Sequence, residues 1–280
     1  MSQPGEPGRI AFLTGCGRSG TTILGRLINA APSVRYLNDQ FDLWIGPFPR
    51  CDAWGLHPDA RESGPIELTE ADADPAGIDA FWRGIEAERG NAPLVLEKVA
   101  LNNFRLRFLR AIAPDARIVS IVRHGVEVAR SIGRRIECGQ WYGDGDRKWH
   151  ALQDLARARG LGDLLPHCAT PTERGLLEWR LSVEVAAEHL AAIGNDRVLR
   201  VHYEDLLADP DATMAAIAGH LGIPSDAEHM QRKARELLGR QNPSHAELHP
   251  PREAERIAGG ALRALGYELE APDCGAMLAP

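Results

Sequence analysis

The segment Gly15-Cys-Gly-Arg-Ser-Gly-Thr-Thr22 limits what this chain can fold into more than any other stretch of it. It follows the apolar run Arg9-Ile-Ala-Phe-Leu-Thr14, which reads as a buried strand. It precedes Ile23, Leu24, Leu27 and Ile28, which are set at helical spacing and stopped by Pro32. A glycine-rich turn between strand and helix aims several backbone N–H groups and a helix N-terminus at one point, and its glycines let an anion approach closely. Against the phosphate-loop pattern G-x-x-x-x-G-K-[ST], Gly15, Gly20 and Thr22 fit. Thr21 stands where the lysine belongs, and the cation has moved to Arg18. Ser19, Thr21 and Thr22 add three hydroxyls, so the turn reads as a phosphate site without the usual equipment for a magnesium triphosphate.

The rest of the chain alternates strand and helix. Leu94–Lys98, Arg117–Arg123 and Arg197–Tyr203 read as further strands. Leu101, Phe104, Phe108, Leu109 and Ile112 mark a helix stopped by Pro114, and Val126, Ala129, Ile132 and Ile136 mark another. Longer helices are expected over 173–193, 211–221 and 252–265. Residues 45–78, rich in Pro, Gly and Asp, read as a long surface loop, and 138–172 as an insertion outside the core. The expectation is an α/β protein, a P-loop-like three-layer fold with a central parallel sheet flanked by helices. One domain is expected over 9–280, behind a flexible tail at 1–8, with substrate-loop insertions near 40–90 and 138–172.

Composition narrows the partners. A net charge of −7 argues against a general grip on nucleic acid or anionic lipid. Apolar runs such as Ile118–Val122 are far short of a membrane span, and the opening Met1-Ser-Gln-Pro-Gly-Glu-Pro-Gly has no secretory pattern. The five cysteines are scattered, with neither metal-ligand spacing nor a disulfide framework. A soluble, reduced, cytoplasmic protein is expected, with no metal, no nucleic acid and no membrane partner.

A second anion site is legible downstream. Arg123 closes a strand at the place where a nucleoside triphosphatase would offer a magnesium-directed Asp. Ser131 lies two turns into the next helix and Arg135 one turn further on the same face. Two guanidiniums and a hydroxyl can clamp a phosphate. With the first turn, this points to a nucleotide phosphorylated at two ends.

With these residues in view the chain resembles the nucleotide-dependent sulfotransferase family. Arg18-Ser-Gly-Thr-Thr22 looks like that family's 5′-phosphosulfate loop in the arginine form of the tyrosylprotein and carbohydrate branches. Ile118-Val-Ser-Ile-Val-Arg-His-Gly-Val-Glu-Val-Ala-Arg-Ser131 is similar to its 3′-phosphate motif. The likeness also takes in Glu97-Lys98, Leu177-Glu-Trp-Arg180, Val201–Leu207 and Leu265-Gly-Tyr267. It implies a donor, 3′-phosphoadenosine 5′-phosphosulfate, and a metal-independent sulfuryl transfer that leaves adenosine 3′,5′-bisphosphate. By the same likeness, Arg18, Ser19, Gly20, Thr21 and Thr22 hold the 5′-phosphate. Arg123, Ser131 and Arg135 hold the 3′-phosphate, and Tyr203 contacts the nucleotide. Lys98, assisted by Arg18, stabilises charge on the leaving phosphate, and Asp39 falls where the tyrosylprotein branch keeps a glutamate base.

Several alternatives stay open at this level. Asp42 and His150 are fallback bases, and Asp39 also suits a turn or helix cap. Arg240 and Ser244 lie where relatives fold a loop over the nucleotide, although solvent exposure is the better reading of both. A Mg-ATP-dependent small-molecule kinase is the runner-up reading, and a nucleotide-binding module that has lost catalysis is a third. The acceptor, a small molecule, glycan or peptide presenting a hydroxyl or amine, would be chosen by loops 40–66 and 138–170. These carry Phe41, Trp44, Phe48 and Trp54, then Trp141, Tyr142 and Trp149. Such aromatics either line an acceptor pocket or pack the loops onto the core.

Overall fold

A computed structural model describes residues 9–56, 64–238 and 252–269. Five strands form one parallel sheet: β1 (Arg9–Thr14), β2 (Val34–Asn38), β3 (Leu94–Lys98), β4 (Arg117–Val122) and β5 (Val198–His202). They lie side by side in the order β2-β3-β1-β4-β5. β1 therefore has β3 on one side and β4 on the other, and chain direction across the sheet reverses there. In open parallel sheets the crevice beyond the strand ends at such a reversal is where ligands bind.

Side chains alternate between the two faces of the strands, and each face carries its own core. Ile10, Phe12, Val95 and Ile118 belong to one apolar cluster, and Ala11, Leu13, Leu96, Val119 and Ile121 to the other. On the second face pack α1 (Thr21–Ile28), α8 (Tyr203–Ala208), α9 (Pro210–Leu221) and α10 (Ala227–Leu238). On the first lie α2 (Asp42–Ile45), α3 (Pro75–Arg89), α4 (Leu106–Ile112), α5 (Gly125–Glu137), α6 (Arg147–Ala158), α7 (Pro171–Ile193) and α11 (Ala254–Ala264). The architecture is the expected three-layer α/β sandwich. No helix of the described residues is long and apolar enough to cross a membrane.

The structure corrects two expectations. In the described part of 45–78, Phe48, Cys51, Ala53, Ile66 and Leu68 are buried, and α3 begins at Pro75 behind the N-cap Asp74, whose carboxylate accepts from the Gly77 N–H. The Asp-Pro pair that read as loop punctuation is a helix start. Nor does 138–172 stand outside the core, because α6 buries Trp149, Leu152 and Ala156 in the larger cluster. β2, α3, α6 and α10 were not legible as elements. As the edge strand, β2 is only half buried and gives no continuous apolar run. The tail at 1–8 and residues Arg240 and Ser244 lie outside the described residues.

Candidate functional site

The Gly15–Thr22 turn and four further predicted site residues sit at or just past the C-terminal end of a strand, while Ser131 and Arg135 lie on α5. The Gly15–Thr22 turn follows β1, Asp39 follows β2, Lys98 ends β3, Arg123 follows β4 and Tyr203 follows β5. A cavity of about 430 Å³ opens at this edge and is lined by Arg18, Thr21, Thr22, Asp39, Lys98 and Arg135, among others. A larger cavity, about 860 Å³, lies at the opposite end of the strands around Ile10, Leu94 and Arg117, away from these groups. The smaller one carries the chemistry.

The turn after β1 is built for close approach. Gly20 takes φ +97°, and a Cβ there would come within 2.5 Å of the Tyr203 ring. Arg18 and Asp39 also adopt left-handed φ values, 72° and 51°. Both line the cavity, and such non-glycine outliers persist only where the surroundings impose them. The Ser19 hydroxyl is buried and has no hydrogen-bond partner among the described residues. An orphaned buried hydroxyl in a glycine-rich loop fits a phosphate oxygen as its missing partner.

The two anion motifs meet directly. Arg18 Nε donates to Ser131 Oγ at 3.0 Å, across 113 residues of sequence. The Arg18 guanidinium is held below its ordinary pKa first by partial burial, then by Arg135, Arg134 and Arg123. Cations close enough to act on Arg18 in this way repel it, and a polyanion relieves such repulsion. Arg123 lies 4.4 Å over the Tyr203 ring and forms an ion pair with Glu127 at 2.5 Å. Its carbonyl accepts from Trp179 Nε1 at 3.1 Å. Tyr203 therefore bridges the motifs, touching Gly20 and carrying Arg123 on its face.

Lys98 and Asp39 are brought together by strand register. Asn38 pairs with Lys98, so Asp39 lies one residue beyond it. The Asp39 N–H donates to the Lys98 carbonyl at 2.8 Å, and Lys98 Nζ donates to Asp39 Oδ2 at 2.7 Å and Thr22 Oγ1 at 3.4 Å. Lys98 is 2% exposed, whereas the Asp39 carboxylate is 36% exposed and open to the cavity. The fallback bases are placed elsewhere. Asp42 opens α2 and exposed His150 rides on α6; neither lines the cavity.

Next to Lys98, Glu97 points into the core. Its carboxylate accepts from Trp44 Nε1 at 2.7 Å and Asn102 Nδ2 at 3.0 Å. Trp44 itself packs against Phe81 and Phe108, so Glu97 ties α2, and the Asp39 turn before it, to β3. Burial pushes the Glu97 carboxyl up to about 8 from 4.5, against the opposing pull of Trp44, Lys98 and Asn102. Between those values the unfolded chain has lost this proton while the folded one keeps it. The contribution of Glu97 to stability is thus full below pH 4.5 and is lost as pH rises through about 8. Melting temperatures should fall over this window in the native protein and fall less in Glu97→Gln; equal slopes would contradict the assignment.

Sequence reasoning singled out Trp141 but missed the second lysine–carboxylate pair that it contacts in the same cavity, Lys148 with Glu178. The available signal was the clustering of Trp141, Tyr142 and Trp149 around one lysine. Of the loop aromatics, Phe41, Trp54 and Trp141 line the cavity, while Trp44, Phe48, Tyr142 and Trp149 are buried packing.

A parallel α/β sheet whose switch point gathers a glycine-rich turn, several arginines and a lysine–carboxylate pair presents a crevice suited to an anionic ligand. Comparison with known proteins narrows this. The sequence profile of the Sulfotransferase family matches residues 11–227, and the chain belongs to that family of enzymes. A protein-tyrosine sulfotransferase of Drosophila melanogaster is 25% identical over 221 residues, which is 77% of this chain and 38% of that protein. The chain thus spans about two-fifths of that relative's length. Among solved structures, the sulfotransferase domain from the curacin biosynthetic pathway matches with a TM-score of 0.51 and 17% identity, covering 94% of this chain and 99% of that one. A sulfotransferase from Mycobacterium avium matches with a TM-score of 0.52 and 18% identity, covering 96% and 79%. At these identities the structural matches speak for the fold.

Proposed function

We propose that this chain transfers a sulfuryl group from 3′-phosphoadenosine 5′-phosphosulfate to the hydroxyl (or amine) of an acceptor, without a metal. The observation that carries the reading is the junction of the two anion motifs, Arg18 bonded to Ser131 with Arg123 and Arg135 close by. A monophosphate would need one motif; a nucleotide phosphorylated at both ends uses both. Family membership supplies the reaction class. When bound, the donor offers sulfur whose bond to the 5′-phosphate oxygen breaks as the bond to the acceptor oxygen forms.

The chain's own groups divide the remaining work. Backbone N–H groups and the hydroxyls of Ser19, Thr21 and Thr22 hold the 5′-phosphate, with Gly20 leaving room for the Tyr203 ring beside the loop. Arg123, Ser131 and Arg135 hold the 3′-phosphate, and Tyr203 braces the nucleotide side. Lys98 and Arg18 offset negative charge that grows on the phosphate oxygen. Asp39, ion-paired to Lys98 and open to the cavity, takes the acceptor's proton as attack proceeds. Lys98 then sits between the base and the leaving oxygen, bonded to both Asp39 and the Thr22 hydroxyl of the loop. Phe41, Trp54, Leu56 and Trp141 give the acceptor side an apolar, aromatic wall.

Incubation with sulfur-labelled donor, a phenol and excess EDTA tests this reading. Label should pass to the phenol. In a parallel reaction with magnesium and no EDTA, phosphoryl transfer from Mg-ATP in place of sulfuryl transfer would establish the kinase reading instead.

A further inference from the structure

Beyond Lys98 and Asp39 the cavity runs between Phe41, Trp54 and Trp141 to a second ion pair. Lys148 Nζ, on α6, donates to Glu178 Oε1, on α7, at 2.6 Å, and the two side chains are 4% and 2% exposed. Trp141 Nε1 donates to the other oxygen, Oε2, at 2.7 Å. The ammonium lies 4.3 Å from the Trp141 ring centroid and 5.6 Å from that of Trp54. Trp141 is pinned from its other side as well, since a Cβ on Gly17 would come within 2.6 Å of its ring edge. The far wall of the chamber is therefore aromatic, rigid and electrically balanced, although two full charges are built into it.

We infer that the Lys148–Glu178 pair determines acceptor specificity: by neutralising each other, the two charges reserve the chamber for an uncharged planar ring. This rests on the acceptor role proposed above for the chamber. At this far wall, a carboxylate or ammonium on the acceptor would shed its water and find Lys148 and Glu178 already taken by each other, while Arg18, Arg135, Lys98 and Asp39 belong to the donor end of the cavity. An uncharged ring loses little water and gains aromatic contact with Trp54 and Trp141. Removal of one member leaves the other charged, desolvated and ready to pair with an acceptor of opposite sign.

Quenching of tryptophan fluorescence by three ring-matched probes tests the inference: 4-ethylphenol, 3-(4-hydroxyphenyl)propanoate and tyramine. Titrations are run with and without adenosine 3′,5′-bisphosphate. The native protein should bind the neutral phenol about 10-fold tighter than either charged probe. Glu178→Gln keeps an acceptor for Trp141 and frees Lys148, so the propanoate should gain about 10-fold relative to the neutral probe. Lys148→Met should favour tyramine instead. The double variant should restore the neutral preference, which damage to packing would not do. Equal binding of all three probes by the native protein, a parallel change in all three in Glu178→Gln, or binding of none of them would overturn the inference. Failure of the bisphosphate itself to bind would strike the proposed function, whereas the shift of each variant relative to the native protein, with Arg18 and Arg135 common to both, still reads the charge preference without nucleotide.

Discussion

Lys98→Ala should lower kcat by about 10²- to 10³-fold, the usual cost of losing one fixed donor at a developing negative charge. The expectation follows from geometry. Lys98 is rigid at the end of β3, almost fully buried, and bonded to Thr22 of the phosphate loop and to Asp39. Its ammonium is thus held where charge on the leaving oxygen would grow, with no rearrangement needed. The substitution also releases Asp39, whose carboxylate is partly exposed and can be hydrated, so the fold should survive. Affinity for adenosine 3′,5′-bisphosphate should change little, because both phosphate clamps stay in place. The checks are single-turnover sulfate transfer and calorimetric binding on the same preparation. A Lys98→Ala enzyme that turned over at the native rate would remove this residue from the chemistry.

Arg123→Ala should show the opposite pattern, weakening the bisphosphate about 100-fold while leaving kcat at saturation much less affected. A charge-assisted contact to a phosphate contributes about 1.5–3 kcal/mol, or roughly 10- to 150-fold. A second effect adds to this. Arg123 is paired with Glu127, and truncation leaves that carboxylate facing the 3′-phosphate with no cation between them. Binding of 5′-AMP, which lacks the 3′-phosphate, should hardly respond. An equal loss for both nucleotides would place Arg123 in general architecture and not in a 3′-phosphate clamp.

The grouping of the proposed phosphate-binding residues was legible in the sequence because those residues lie in local segments. Gly15 to Thr22 is one turn, and Arg123, Ser131 and Arg135 lie on one strand end and one helix. The strand periodicity that gave β1, β3, β4 and β5 fixed where those turns emerge. The proposed base was different. Asp39 meets Lys98 only through the β2–β3 register, and β2 is an edge strand with no clear apolar signature, so family likeness alone pointed to that residue. The acceptor side was least legible. Lys148 and Glu178 are 30 residues apart on different helices, and their pairing depends on how α6 packs beside α7. Pro and Asp also concealed α3, since the same residues punctuate loops and start helices.

The central claim is that the two anion motifs grip a single nucleotide at both ends, and calorimetry of the native protein tests it most directly. Adenosine 3′,5′-bisphosphate should bind with one-to-one stoichiometry and at least about 10-fold more tightly than 5′-AMP, as one extra charge-assisted clamp requires. Equal affinity for the two nucleotides would contradict the account.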